Sequence, residues 1–247
     1  MQYKIAALAL DPIEKKPLYH FYPGSKVLSA GFFGCNLKCP FCQNYEISQE
    51  VAQNTTQPHR LMEPEELAAL AKSYRGMGNI GLAYTYNEPL TSFPFVRETA
   101  KLIRKDGMKN VLVTNGSVPE RVLDEVLPFM DAMNVDIKSF DPDYYKEVLH
   151  GNLDYVKAFI EKAVQHCHVE LTTLIIPGEN DSEDEMRRIT AWIHSLERGA
   201  NKSVPYHISR FFPRYKYADR TPTPVSTIYR LCDVAKEQLQ YVYPGNV

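Results

Sequence analysis

From Val27 onward, short apolar runs alternate with longer segments of helical period, and no other feature limits the possible folds so sharply. VLSAGFF (27–33), IGLAYT (80–85), NVLVTNG (110–116), DAMNVDIKS (131–139), HVELTTLIIP (168–177) and VPYHISRFF (204–212) read as strands. EPEELAALAKSYRGMG (63–78) reads as a helix, with Pro64 and acidic residues in its first turn and Gly76 and Gly78 at its end. Further helices are expected in 87–108, in VPERVLDEVLP (118–128), between Asp141 and His166, in SEDEMRRITAWIHSLERG (182–199) and from Val225 to Gln240. Strict alternation implies right-handed β-α-β units and a parallel sheet.

A barrel-like sheet and a doubly wound open sheet both satisfy that pattern. The strand ends separate them, because a parallel barrel gathers its working groups at the C-terminal ends of its strands. Here those ends read Gly34-Cys35, Tyr84 to Glu88, Thr114-Asn115-Gly116, Asp136 with Lys138, and His207 to Arg210. The expected architecture is therefore α/β, an open or partial (β/α)6 barrel. With 247 residues, 44% of them hydrophobic, one domain suffices. It divides into an N-terminal strap or lid (1–26), the β/α core (27–212) and a C-terminal helix and tail (213–247).

Basic and acidic residues balance, 28 against 30, so no broad electropositive face is implied and a nucleic-acid partner is not indicated. The apolar runs are too short for a signal-peptide core or a membrane span. A cytoplasmic location is expected, where clustered cysteines act as metal ligands or catalysts rather than as disulfides.

Three of the five cysteines, Cys35, Cys39 and Cys42, fall in one loop as C-x3-C-x2-C; Cys167 and Cys232 read as small buried apolar residues. A closed zinc site needs a fourth ligand, which His20, His59 or His168 offers. Zinc cysteines usually come in pairs on tight turns, whereas three thiolates on one loop suit a cubane iron–sulfur cluster whose fourth iron stays open. The alternative to an enzyme is thus a non-catalytic zinc or iron–sulfur protein with a structural or redox-sensing role.

Cys35-Asn-Leu-Lys-Cys39-Pro-Phe41-Cys42 resembles the radical S-adenosylmethionine (SAM) signature, C-x3-C-x-aromatic-C. DPIEKKPLYHFYPGS (11–25), YTYNEP (84–89), VTNG (113–116), NVDIKSF (134–140), LIIPGEND (174–181) and VYPGNV (242–247) extend the likeness over nearly the whole chain. The branch resembled is the AmmeMemoRadiSam-system type, related to the pyruvate formate-lyase and other glycyl-radical activating enzymes. That resemblance implies a partial TIM-like barrel and a [4Fe–4S] cluster on Cys35, Cys39 and Cys42. It further implies reductive cleavage of SAM to methionine and a 5′-deoxyadenosyl radical that takes hydrogen from a substrate, either a partner protein's glycine or a small molecule. A low-potential flavodoxin or ferredoxin is the implied electron donor.

By the same resemblance, Phe41, Asn87, Glu88, Asn115, Asp136 and Lys138 contact the cofactor, Glu88 accepting its amino group and Lys138 approaching its carboxylate. No catalytic side chain is implied. Tyr86-Asn87 stand where relatives have two glycines, and Val113 where the activating enzymes often have aspartate. Asn87 and Glu88 alternatively read as a helix cap, and the basic segment 207–220 as either an anion site or a covering loop.

Overall fold

The strands of the main sheet lie side by side in chain order, with no reversal. A computed structural model describes residues 2–49 and 59–247. The elements are β1 (Tyr3–Ile5), β2 (Ala7–Pro12), β3 (Lys26–Gly31), α1 (Tyr45–Ser48), β4 (Arg60–Met62), α2 (Pro64–Ser73), β5 (Asn79–Thr85) and α3 (Phe93–Lys105). They continue with β6 (Lys109–Thr114), α4 (Glu120–Val126), β7 (Ala132–Asp136), α5 (Pro142–Glu147), α6 (Leu153–Ala163), β8 (His168–Ile175), α7 (Glu183–Ala200), β9 (Tyr206–Arg210), α8 (Val225–Lys236) and β10 (Val242–Gly245).

One eight-stranded sheet runs β10-β9-β8-β7-β6-β5-β3-β2, and β1 pairs with β4 apart from it. Neighbours from β3 to β10 are parallel; β2 runs antiparallel to β3. A doubly wound sheet reverses its order at a switch point, whereas this one never does and stays open between β2 and β10. It is a partial TIM-like barrel.

The six expected strands are all present, and the sheet gains two at its edges. β10 carries Pro244, which an edge tolerates because one side of the strand needs no donor. β2 belongs to the N-terminal segment and reaches its antiparallel partner through a long loop that holds a single 3-10 turn (Ile13–Lys15) rather than an α-helix. The helix expected from Asn87 begins at Phe93, because Pro89–Ser92 tighten into a 3-10 turn capped by the Glu88 carboxylate on Leu90 N–H. α2 opens as expected on Pro64, with a capping box between Glu63 and Glu66.

Alternate strand residues face two different interiors. Leu28, Ala30, Leu82, Leu112, Val135 and Leu171 point outward into the large core beneath the helices. Val27, Ala83, Val111 and Ala132 point inward and pack with Ile13 and Leu18 from the loop after β2. That loop crosses the N-terminal floor of the barrel and plugs it.

Glu170 on β8 ties the loop down, accepting Tyr19 N–H at 3.0 Å, His20 N–H at 2.7 Å, and the rings of His168 at 2.9 Å and His207 at 2.7 Å. Burial alone would raise this carboxyl, but the converging donors hold it down at about 2. The barrel is thereby closed below and open above, where the strands end in polar side chains.

Candidate active site

The loop after β3 turns at Gly34, whose φ of +91° is readily open only to glycine. Neighbouring elements clamp it by their polar groups. Lys38 N–H donates to the Leu149 carbonyl at 2.8 Å, Lys216 N–H to the Pro40 carbonyl at 3.0 Å, and Gln49 Nε2 to the Leu37 carbonyl at 2.9 Å. Two donors already address a sulfur: Leu37 N–H lies 3.4 Å from Cys35 Sγ and Asn115 Nδ2 3.7 Å from it. Phe41 is buried against Tyr217, with ring centroids 6.1 Å apart. Burial pushes the Cys35 thiol up to about 12, Cys39 to about 11, and raises Cys42. A metal taken up here displaces protons as it binds.

At the end of β5, Tyr86 has φ +74°, the left-handed conformation a glycine would adopt freely. Such backbone costs a tyrosine about 1–3 kcal/mol. Two anchors hold it: Tyr86 Oη donates to Asp11 Oδ2 at 2.6 Å, and its ring lies over Gly31, where an added Cβ would come within 2.8 Å of Cδ2. Asn87 is not a helix cap. Its Oδ1 accepts Phe32 N–H at 3.0 Å and its Nδ2 donates to the Gly34 carbonyl at 2.7 Å, joining β5 to the cysteine loop.

Glu88 is buried and accepts three donors, Leu90 N–H at 3.0 Å, Asn115 N–H at 2.8 Å and Thr114 Oγ1 at 2.8 Å. Burial outweighs them and raises its carboxyl to about 7. Between about pH 4.5 and 7 the folded chain therefore keeps a proton that the unfolded chain has lost, so stability falls as pH rises through that window. The full effect is about 3 kcal/mol. In chemical denaturation, Glu88→Gln is expected to stand more favourably against wild type at pH 8 than at pH 5, by about 2–3 kcal/mol. An equal difference at both pH values would contradict this assignment.

Across the barrel, Lys138 Nζ donates to Asp136 Oδ2 at 2.8 Å. The backbone there is fixed by Tyr145 Oη, which accepts Lys138 N–H at 2.9 Å, and by Asn180 Nδ2, which donates to the Lys138 carbonyl at 2.7 Å. Burial works against the ammonium, but Asp136 keeps it charged and above the usual lysine range. Asn115 turns toward the cysteine loop, its Nδ2 2.9 Å from Asn36 Oδ1.

All nine residues singled out from the sequence, Cys35, Cys39, Phe41, Cys42, Asn87, Glu88, Asn115, Asp136 and Lys138, line one cavity of about 610 Å³ above the plugged floor. The histidines considered as zinc ligands stand elsewhere: His20 is 2.6 Å from Tyr243 Oη, His168 is on Glu170, and His59 packs toward Phe33. The basic residues of 207–220 do not converge either. Arg210 Nε donates to the Thr223 carbonyl, Arg220 pairs with Glu179, and Arg214 and Lys216 are exposed. Of that segment, His207 and Ser209 line the cavity.

Sequence reasoning missed Asp11, Lys16 and Glu170 as interior groups. A glutamate in the middle of the apolar run HVELTTLI was the available signal for Glu170. For Asp11 and Lys16 nothing short of the fold reveals the pairing.

The radical SAM superfamily matches residues 31–189, from the end of β3 into α7. The chain belongs to the radical SAM superfamily. It is 42% identical over 246 residues to an uncharacterized protein of Methanocaldococcus jannaschii, covering 99% of this chain and 71% of that one. It is 24% identical over 197 residues to pyruvate formate-lyase 1-activating enzyme of Escherichia coli, covering 75% of each. A domain of pyruvate-formate lyase-activating enzyme from Bacteroides vulgatus shares the fold, with TM-score 0.57 and 14% identity over 67% of this chain and 99% of that domain. This radical SAM enzyme thus carries three cysteines of one loop on a barrel whose strand ends face one cavity. No helix among the described residues is long and apolar enough to cross a membrane.

Proposed function

We propose that Cys35, Cys39 and Cys42 hold a [4Fe–4S] cluster by three of its irons, leaving the fourth for the amino and carboxylate groups of SAM. The observation that carries this reading is the convergence of three thiols, a buried carboxylate and an Asp–Lys pair on one cavity. The donor set fits the group: the loop supplies thiols and no fourth ligand, and Leu37 N–H and Asn115 Nδ2 stabilise negative charge on Cys35 sulfur. Held there and reduced, such a cluster would supply the single electron for reductive cleavage of SAM to methionine and a 5′-deoxyadenosyl radical, the agent that would take hydrogen from the substrate.

The protein's part is to hold, orient and exclude water. Glu88, ionised, accepts the cofactor's ammonium, and Lys138 donates to its carboxylate while Asp136 steers the lysine. Asn87 and Phe41 fix the loop, and Asn115 braces the Cys35 side. Lys138→Met is expected to weaken SAM binding about ten- to a hundredfold in equilibrium dialysis, the worth of a charged hydrogen bond. Unchanged affinity would remove Lys138 from this role.

A cavity of about 610 Å³ that also seats cluster and SAM leaves room for a compact substrate, so we favour a small molecule. The likeness to pyruvate formate-lyase 1-activating enzyme supports the second reading, a partner protein's glycine. We assign the electron to a low-potential flavodoxin or ferredoxin, and the reaction to the cytoplasm. Anaerobic reconstitution, reduction and product analysis test the proposal: 5′-deoxyadenosine is expected, and an intact cluster that never cleaves SAM would defeat it. A stable glycyl doublet in electron resonance of mixtures with a candidate partner would select the second reading.

A further inference from the structure

Beneath the Tyr86 ring lies a lysine that the cofactor chemistry leaves unused. Lys16, on the floor loop, is 2% exposed and lines the cavity. Its ammonium carries three N–H donors. One reaches Asp11 Oδ2 at 2.9 Å, and the Tyr86 ring lies 4.5 Å from Nζ. Among the described residues no carbonyl, hydroxyl or second carboxylate completes it. Asp11 is itself occupied, taking Tyr86 Oη at 2.6 Å and Lys15 Nζ at 3.4 Å as well. A buried ammonium short of acceptors beside a cavity is costly unless a ligand supplies one.

Two further features concern the same spot. Tyr86 accepts a left-handed backbone where glycine would be unstrained, and its side chain is what reaches both Asp11 and Lys16. Gly31 is bare on the facing strand, and any Cβ there would strike the Tyr86 ring. Asp11 pairs in register with Val27 at the start of β3, whereas the cysteine loop leaves from its other end. The Lys16 group thus occupies the floor end of the cavity, and the groups assigned to the cofactor its mouth. Asn134, Thr172 and His207 line the same end, Asn134 Nδ2 donating to the Pro17 carbonyl of the floor loop at 2.8 Å and His207 standing on Glu170.

We infer that the floor end is the substrate subsite and that Lys16 binds an anionic oxygen of the substrate, a carboxylate or a phosphate, with Tyr86 and Asp11 setting its position. This rests on the radical SAM reading above, in which cofactor and substrate share this one cavity. The substrate class is then a small organic anion whose reacting C–H lies between its charged group and the cysteine loop.

Calorimetric titration of cluster-loaded, SAM-bound protein with malonate and, separately, inorganic phosphate tests it at constant ionic strength in chloride. Saturable one-to-one binding of at least one anion is expected, malonate marking a carboxylate substrate and phosphate a phosphorylated one. Lys16→Met and Lys16→Gln should each bind at least tenfold more weakly. Lys146→Gln, which removes an exposed charge on α5, should bind as wild type does. Absence of binding to wild type by either anion, or wild-type affinity in both Lys16 variants, would overturn the subsite. Failure of wild type to form 5′-deoxyadenosine would instead defeat the radical reading, so the two failures are told apart.

Discussion

A Cys39→Ala chain, reconstituted anaerobically with iron and sulfide, is expected to lose the four-iron cluster and to form 5′-deoxyadenosine only at background. Cys39 is the most buried of the three loop thiols, 7% exposed, and no other cysteine stands near enough to replace it: Cys167 and Cys232 are packed into the core beneath the helices. Two thiolates cannot hold a cubane against water, and the donors from Leu37 and Asn115 serve Cys35 only. Cys167→Ala and Cys232→Ala are the counterparts. Each removes a small buried apolar group, which costs stability of about 1 kcal/mol and leaves the cluster in place. Iron and sulfide analysis with the absorbance near 400 nm distinguishes them; a full cluster in Cys39→Ala would break the assignment.

Gly81→Ala is expected to abolish the fold. Gly81 pairs with Lys109 where β5 meets β6, and a Cβ on it would lie 1.8 Å from the Lys109 carbonyl oxygen and 2.8 Å from its nitrogen. Both atoms are backbone, so neither can swing away as a side chain would. The strands would have to part, and β5 leads to Glu88 while β6 leads to Thr114 and Asn115, the groups bonded to each other at the cavity. The loss should exceed about 4 kcal/mol, a large share of the 5–15 kcal/mol typical of a domain. Expression as insoluble protein, or circular dichroism without a cooperative melt, is the expected outcome. A soluble chain melting within a few degrees of wild type would show that the sheet yields there.

The parallel core was readable because each inner strand is buried on both faces and so appears as a continuous apolar run between periodic helices. The edges were not. β10 is interrupted by Pro244 and Gly245, which argue against a strand until an edge position excuses them. The cavity mouth was readable because its groups follow strands: Glu88, Asn115 and the Asp136–Lys138 pair each stand just past an apolar run. The floor was hidden because it is made by long-range contacts. Tyr19 meets Glu170 across 151 positions and Tyr86 meets Asp11 across 75, distances over which local pattern carries no signal. The left-handed Tyr86 illustrates the limit most clearly, since the resembled family has glycine there and the Asp11 and Lys16 contacts account for the exception.

The coordination of the fourth iron tests the central claim most directly. Electron–nuclear double resonance on the reduced, cluster-loaded protein should show hyperfine coupling to 15N in the SAM amino group and to 17O in its carboxylate. An intact cluster with neither coupling, its fourth iron held by a side chain of the protein, would contradict the account.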